Sequence, residues 1–394
     1  LWRLAIATAA GSEPAWQLGL ARAQAACGDA TAAIVTTQDL LRQTPGFRPA
    51  MGFFCQMLVL QDRRATAIAE LADGVFAGGL APVSERLRLL LWLEHMDDAR
   101  AVFERAFAVA DKVEDFVALF PHIPRLYEPA DRLRLWREVY HRVVDQPGPT
   151  AAFLAMRLAL ASRDYDAFLH LHDQRPMLPP PWQGLLARVA DTLRRPGFPD
   201  MCAQKLFVIG LSKTATTSVH KALGQLGYLS AHFDNSFSHA MLTMADAALF
   251  DAMGDIPVSA QFETLYDAYP NARFIYTTRP MESWLPSFAG HYRRWHGSDD
   301  FGVLRAQCLR PERCRNGHGL AEIHHGLYFQ YADASSAWLA HDARVAAFFA
   351  DKPANKLLRL DLFSGHGWPE ICAFLGVPAP KTPFPWENRS LVPA

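Results

Sequence analysis

One lysine stands ahead of a run of hydroxyls in Lys205-Leu-Phe-Val-Ile-Gly-Leu-Ser-Lys-Thr-Ala-Thr-Thr-Ser218. These residue types in this order suit gripping a phosphate. Lys213 supplies a point charge, and Thr214, Thr216, Thr217 and Ser218 supply hydroxyl donors. A helix opening here would aim backbone N–H groups and the positive end of its dipole at an anion. Gly210 stands three residues before Lys213 and no glycine immediately precedes that lysine. The G-x-x-x-x-G-K-[ST] loop of nucleoside triphosphatases is therefore excluded. A second anchor lies further on: Arg279 follows the strand-like run Arg273–Thr278, and Ser287 comes eight residues later. One helical stretch between them would return the hydroxyl to the guanidinium, which makes a second phosphate clamp.

The elements that must position these groups can be read from the apolar pattern. Lys205–Gly210 reads as a buried strand, and Thr214–Leu226 as a helix ending at Gly227. Tyr228–Phe233, Arg273–Thr278 and Lys356–Asp361 read as further strands. Short apolar runs alternating with helices predict an α/β fold with a parallel sheet covered on both faces. Ligands in such folds bind at the carboxyl ends of the strands. The loops after Gly210, Phe233 and Thr278 should meet there.

Residues 1–185 have a different rhythm, with helix-period apolar patterns and almost no strand signal. Breaks recur at Cys27-Gly-Asp-Ala, Asp62-Arg-Arg-Ala, Met96-Asp-Asp-Ala, Pro129-Ala-Asp-Arg and Asp164-Tyr-Asp-Ala, close to 34 residues apart. Small residues follow at Ala33, Ala67 and Ala101, while Leu135 takes that place in the fourth unit. The pattern resembles tetratricopeptide repeats; an irregular helical bundle is the alternative. Such helical layers bind protein partners or pack on a catalytic domain. Met177-Leu-Pro-Pro-Pro-Trp182 and Arg195-Pro-Gly-Phe-Pro199 are stiff breaks. The expected division is a helical-repeat domain over 1–185, a linker over 186–204 and an α/β domain over 205–394.

Composition bounds the function classes. The 394 residues are half hydrophobic and carry a net charge of −1. This is a globular chain without the basic surface of a nucleic-acid binder. Six cysteines do not make a disulfide scaffold at this length; Cys308 and Cys314 read as free thiols beside a loop, with pairing or metal binding as the other reading. No run of 18 apolar residues appears, so no transmembrane segment is expected. A cytoplasmic location is the expectation, with a signal or anchor ahead of Leu1 left open.

The loop resembles the K-[ST]-G-T-[TS] loop of sulfotransferases that use 3′-phosphoadenosine-5′-phosphosulfate. Tyr269-Pro-Asn-Ala-Arg-Phe-Ile-Tyr-Thr-Thr-Arg-Pro-Met-Glu-Ser-Trp-Leu-Pro-Ser287 is similar to that family's segment around its second anchor. His341, ahead of Val345 and Phe348-Phe349, and the endings Leu360–Trp368, Phe374–Pro380 and Pro383–Asn388 also fit, in the right order. The resemblance covers 205–390. It implies that Ser212, Lys213, Thr214, Ala215, Thr216, Thr217 and Ser218 hold the 5′-phosphate of the co-substrate, and that Arg279 and Ser287 hold its 3′-phosphate, with no metal required. Ala215 departs from the family, taking its glycine position. If the backbone there has positive φ, alanine costs about 1 kcal/mol.

In-line sulfuryl transfer needs a cation at the leaving oxygen and a base on an acceptor hydroxyl. Lys213 is the expected cation. Asp255, ahead of Pro257 at a strand edge, is the expected base, since related enzymes place His, Glu or Asp there. His232 is its rival, and Glu263 and His239 are weaker choices. The scattered histidines, His318, His324 and His325 among them, lack metal-site spacing. The basic, aromatic stretch 290–335 reads as cover for the acceptor site and points to an anionic or sugar acceptor; glycan, lipid, peptide and small metabolite all stay open. Two other readings remain at this stage: a Mg²⁺-dependent P-loop kinase, and a non-catalytic interaction protein on a transferase scaffold.

Overall fold

The computed structural model describes residues 13–73, 81–93, 95–174, 178, 180–296, 298–308 and 319–387. Its residues form two compact units, Leu1–Gln146 and Pro147–Ala394. Cys314 and His318 lie outside the described residues, and so does any pairing of Cys308 with Cys314. No described helix is long and apolar enough to cross a membrane.

The first unit is helical. It runs through α1 (Pro14–Ala26), α2 (Ala30–Gln43), α3 (Arg48–Leu60), α4 (Arg64–Asp73), α5 (Ala81–Trp92), α6 (Met96–Val109), α7 (Val113–Leu119) and α8 (Pro129–Val143). Three of the recurring sequence breaks in this unit are turns of one kind, while the chain enters α8 at Pro129 from extended backbone at Glu128. Gly28 has φ +84° and Asp62 φ +56°, each two residues ahead of the next helix. The N–H groups of Asp29, Arg63 and His95 reach back to the carbonyls of Gln24, Leu58 and Leu90. This is the bond that closes a helix around a left-handed residue. Asp29 then caps α2, its carboxylate accepting from Ala32 N–H at 3.0 Å. Ala33 and Ala67 are fully buried in these hairpins. In the third hairpin the fully buried alanine is Ala99, with Ala101 only partly covered.

The second unit opens with three helices, α9 (Pro149–Ala161), α10 (Tyr165–Asp173) and α11 (Pro180–Leu193). The turn between α9 and α10 repeats the same design: Arg163 has φ +56° and Asp164 caps α10 through Ala167 N–H. These helices group with the α/β part, and the boundary between the compact units falls at 146/147. The physical reason is a set of contacts onto the α/β part. Arg157 donates to the Ser236 carbonyl at 2.9 Å, and Arg195 pairs with Asp251 at 3.6 Å.

The rest alternates strands and helices: β1 (Leu206–Val208), α12 (Thr216–Gln225), β2 (Ser230–His232), β3 (Ala252–Gly254), α13 (Phe262–Ala268), β4 (Arg273–Thr277), α14 (Met281–His296), α15 (Phe301–Cys308), α16 (Ala334–Phe349), β5 (Leu357–Leu360) and α17 (Trp368–Leu375). The five strands form one parallel sheet in the order β2-β3-β1-β4-β5. Alternation along β1 splits the core. Leu206 and Val208 pack with Val219, Leu223, Leu360 and Ile371 on one face, while Phe207 meets Tyr269 and Phe274 on the other. The chain leaves β1 toward β2 and β3 on one side and later fills β4 and β5 on the other. The carboxyl end of β1 is thus the switch point where such sheets bind ligands.

Candidate active site

The turn after β1 has every carbonyl from Ile209 to Lys213 held by a donor. His341 Nε2 donates to Ile209 O at 2.9 Å, and Ser259 Oγ to Gly210 O at 2.7 Å. Thr214 Oγ1 donates to Leu211 O at 2.7 Å, Trp284 Nε1 to Ser212 O at 2.8 Å, and Arg279 Nη1 to Lys213 O at 3.4 Å. An anion site tolerates no carbonyl oxygen pointing into it, and here the five are spent elsewhere. Gly210 is obligatory for a different reason. A Cβ there would lie 1.8 Å from Thr277 Oγ1 and 2.4 Å from Thr214 Oγ1.

Lys213 and Ala215 both have φ +71°. The left-handed residues flank Thr214 and curl the backbone, the kind of concavity that collects N–H groups around an anion. Ala215 also delays α12, which begins at Thr216 and not at Thr214. It offers no side-chain cap. Among the described residues no acceptor is recorded for the first N–H groups of α12, at Thr216, Thr217 and Ser218. These are the orphan donors of a helix start.

The four hydroxyls named from the sequence divide into two pairs. Thr214 Oγ1 is buried between Leu211 O and Thr277 Oγ1. Ser218 Oγ is fully buried and accepts from Glu387 N–H at 2.9 Å. Both side chains are engaged within the fold. Thr216 and Thr217 instead face a histidine. His232 Nε2 lies 2.9 Å from Thr216 Oγ1 and 3.4 Å from Thr217 Oγ1. The Ser212 N–H donates to Tyr328 Oη at 2.8 Å.

Asp255 and His232, rivals in the sequence, are neighbours. Asp255 Oδ2 is 3.4 Å from His232 Nε2. Both follow from the sheet: β2 ends on His232 and β3 delivers Asp255, with His232 in register with Gly254. The other oxygen of Asp255 accepts from Ile256 N–H at 2.8 Å and caps the turn Ile256–Ser259. The backbone of Asp255 sits at φ +79°, ψ −176°, a region held almost only by glycine. Beneath His232, at a ring distance of 5.7 Å, is His220. Its Nδ1 bonds Ser230 Oγ at 2.8 Å. Burial, with His232 adding to it, pulls His220 down to about 4.

Arg279 follows β4 and reaches the loop. Its Nε donates to Ser283 Oγ at 3.1 Å, and its guanidinium lies 4.2 Å from the Phe363 ring centre. Burial lowers it below the usual arginine range. The hydroxyl it meets directly in this structure is that of Ser283, one turn from the arginine. The Ser287 hydroxyl is buried with no hydrogen-bond partner among the described residues. Glu263 grips Arg344 through both oxygens, at 2.6 and 2.5 Å, and His239 bonds Arg157 at 2.5 Å; both lie in structural contacts. No three described His, Cys, Asp or Glu side chains are grouped to hold a metal.

Residues missed from sequence are those that hold backbone: Ser259, Tyr328 and His220. Trp284 and His341 stood in family motifs, but no spacing rule gives their hydrogen bonds to Ser212 O and Ile209 O.

The comparisons agree with this geometry. Residues 205–391 match the sulfotransferase domain family. A protein of Aspergillus versicolor described as Ava biosynthesis cluster protein M is 26% identical over 217 residues, covering 46% of this chain and 79% of that protein. With a parallel sheet, a lysine-bearing turn at its switch point and this match, residues 205–391 are a domain of the sulfotransferase family, preceded in the chain by helical hairpins.

Proposed function

We propose that the domain transfers a sulfuryl group from 3′-phosphoadenosine-5′-phosphosulfate to a hydroxyl or amine of an acceptor. The observation that carries this reading is the turn 209–213, whose five carbonyls are all held by donors while the N–H groups that open α12 have no recorded acceptor. The orphaned Ser287 hydroxyl, buried on α14 downstream of Arg279, fits a second anionic group. The co-substrate supplies an activated sulfur–oxygen bond to its 5′-phosphate.

In this reading Lys213 and the N–H groups of Thr216, Thr217 and Ser218 hold the 5′-phosphate, with the Thr216 and Thr217 hydroxyls beside it. Arg279 and Ser287 hold the 3′-phosphate. The acceptor oxygen attacks sulfur as the bond from sulfur to the phosphate oxygen breaks. The acceptor's proton passes to Asp255, with His232 at 3.4 Å available to share it. Lys213 neutralises the charge left on the departing phosphate, a contribution worth about 10²–10³ in rate by analogy with other oxyanion donors. The strained backbone of Asp255 favours this role over simple turn capping. The helical hairpins are read as a tetratricopeptide-like layer for a protein partner, on the strength of one turn repeated at about 34-residue spacing.

Equilibrium titration with 3′-phosphoadenosine 5′-phosphate tests the reading. Binding is expected without Mg²⁺, weakened tenfold or more by Lys213→Ala and by Arg279→Ala. A preference for ATP with Mg²⁺ would sink it in favour of a kinase, and absence of nucleotide binding would favour a scaffold.

A further inference from the structure

Ser212 is gripped from both sides by aromatic residues far away in the chain. Its N–H donates to Tyr328 Oη at 2.8 Å, and its carbonyl accepts from Trp284 Nε1 at 2.8 Å. Both aromatic residues are completely buried, in one cluster with Phe288, Tyr292, Leu327 and Phe329. Tyr328 sits in a π-helical turn, His325–Phe329, closed by Gln330 N–H to His325 O at 2.9 Å. Such wide turns are frequent at functional sites.

The peptide bond is planar and trans, so its N–H and C=O point in opposite directions. With Ser212 O fixed on Trp284, the N–H of Lys213 must point away from the aromatic cluster. With Ser212 N–H fixed on Tyr328, the preceding peptide cannot rotate to compensate. We propose that Tyr328 and Trp284 are positioning residues of the donor site, clamping Ser212 so that Lys213 N–H, and the curled backbone after it, are aimed at the phosphate before it arrives. This rests on the sulfuryl-transfer reading above. Burial, the main cause, raises the Tyr328 phenol above its ordinary range, with the Asp255 charge adding to it. The oxygen thus stays a neutral phenol. A phenol oxygen can accept the Ser212 N–H and still carry its own proton.

Tyr328→Phe deletes the acceptor of the Ser212 N–H and leaves the ring in its cluster; Trp284→Phe removes the donor to the Ser212 carbonyl. Residue-resolved hydrogen exchange on the unliganded protein should show Ser212 N–H exchanging tenfold or more faster in Tyr328→Phe, with core strand amides unchanged. Titration with 3′-phosphoadenosine 5′-phosphate should show each single variant weakened about tenfold. The double variant should be no weaker than the worse single, because both groups hold one residue. Unchanged Ser212 exchange in Tyr328→Phe overturns the clamp. So do strictly additive losses of affinity, which would mark two independent packing effects. Failure of the unsubstituted protein to bind the nucleotide overturns the donor assignment instead, and the exchange measurement, which needs no ligand, still decides whether Ser212 is held.

Discussion

Asp255 keeps a backbone conformation, φ +79° and ψ −176°, that glycine would hold at lower cost. Strain of this kind costs about 1–3 kcal/mol. The residue caps the turn Ile256–Ser259 through Ile256 N–H, but glycine at a cap loses only a few tenths of a kcal/mol. A purely structural role therefore gives no reason for a carboxylate here. Asp255→Gly is expected to raise the unfolding free energy by about 1 kcal/mol while abolishing sulfuryl transfer. Chemical denaturation checks the first part, and labelled-sulfate transfer to an extract checks the second. A destabilised Asp255→Gly protein would return the residue to turn capping. Ala215, at φ +71°, makes the opposite case, since its methyl group has no role in the proposed chemistry. Ala215→Gly should stabilise by about 1 kcal/mol and leave nucleotide affinity within about threefold. A large loss of affinity would mean that the alanine itself shapes the loop.

At the scale of elements, the sequence exposed what repeats or runs and concealed what is short or turned. The strand before the loop was legible because its apolar residues are continuous. β3 was not: Ala252-Met-Gly254 is three residues long, too few for any period, yet it lies between β2 and β1 and delivers Asp255. Side-chain types in the loop were visible, but their directions were not. Thr214 and Ser218 look like Thr216 and Thr217 until their partners, Leu211 O and Glu387 N–H, are seen. α16 shows the same limit. His341 was legible as a motif residue, and its work is to donate from Nε2 to Ile209 O, with Nδ1 buried and without a hydrogen-bond partner among the described residues. Burial pulls it from 6.5 to about 4. The depressed value means that the unfolded chain takes up a proton first as pH falls. The stability it contributes is full above pH 6.5, declines between 6.5 and 4, and is lost below that. Its slope is on the order of 1.4 kcal/mol per pH unit. His220 and His239, also lowered to about 4, act in the same window. Unfolding free energies measured from pH 7 to 4 should fall, and His341→Gln should flatten the fall by about one proton. Equal slopes in the two proteins would show that His341 titrates normally.

For the whole molecule, the sequence puts the end of the helical rhythm at residue 185, whereas the compact units divide at 146/147. Periodicity separates helical from alternating sequence; it cannot say which helices a sheet needs. Here the segment 233–243, which follows His232, depends on α9. Arg157 donates to Ser236 O and to His239, and its guanidinium lies 5.5 and 5.6 Å from the Phe153 and Trp182 rings. Arg188 reaches Gly227 O at the end of α12, and Tyr165 packs edge-on to Phe198 at 5.5 Å. A chain starting at Lys205 would lose all of these and leave the Ser236 carbonyl without its donor, in the segment that follows His232. A chain starting at Pro147 keeps them. The longer piece, 147–394, should melt cooperatively and bind 3′-phosphoadenosine 5′-phosphate within about threefold of the full chain. The shorter piece, 205–394, should melt at lower temperature and bind at least tenfold more weakly, although it contains every residue of the sulfotransferase match. Equal melting and equal affinity for the two pieces would restore the boundary at 185 and reduce α9–α11 to a neighbour of the site.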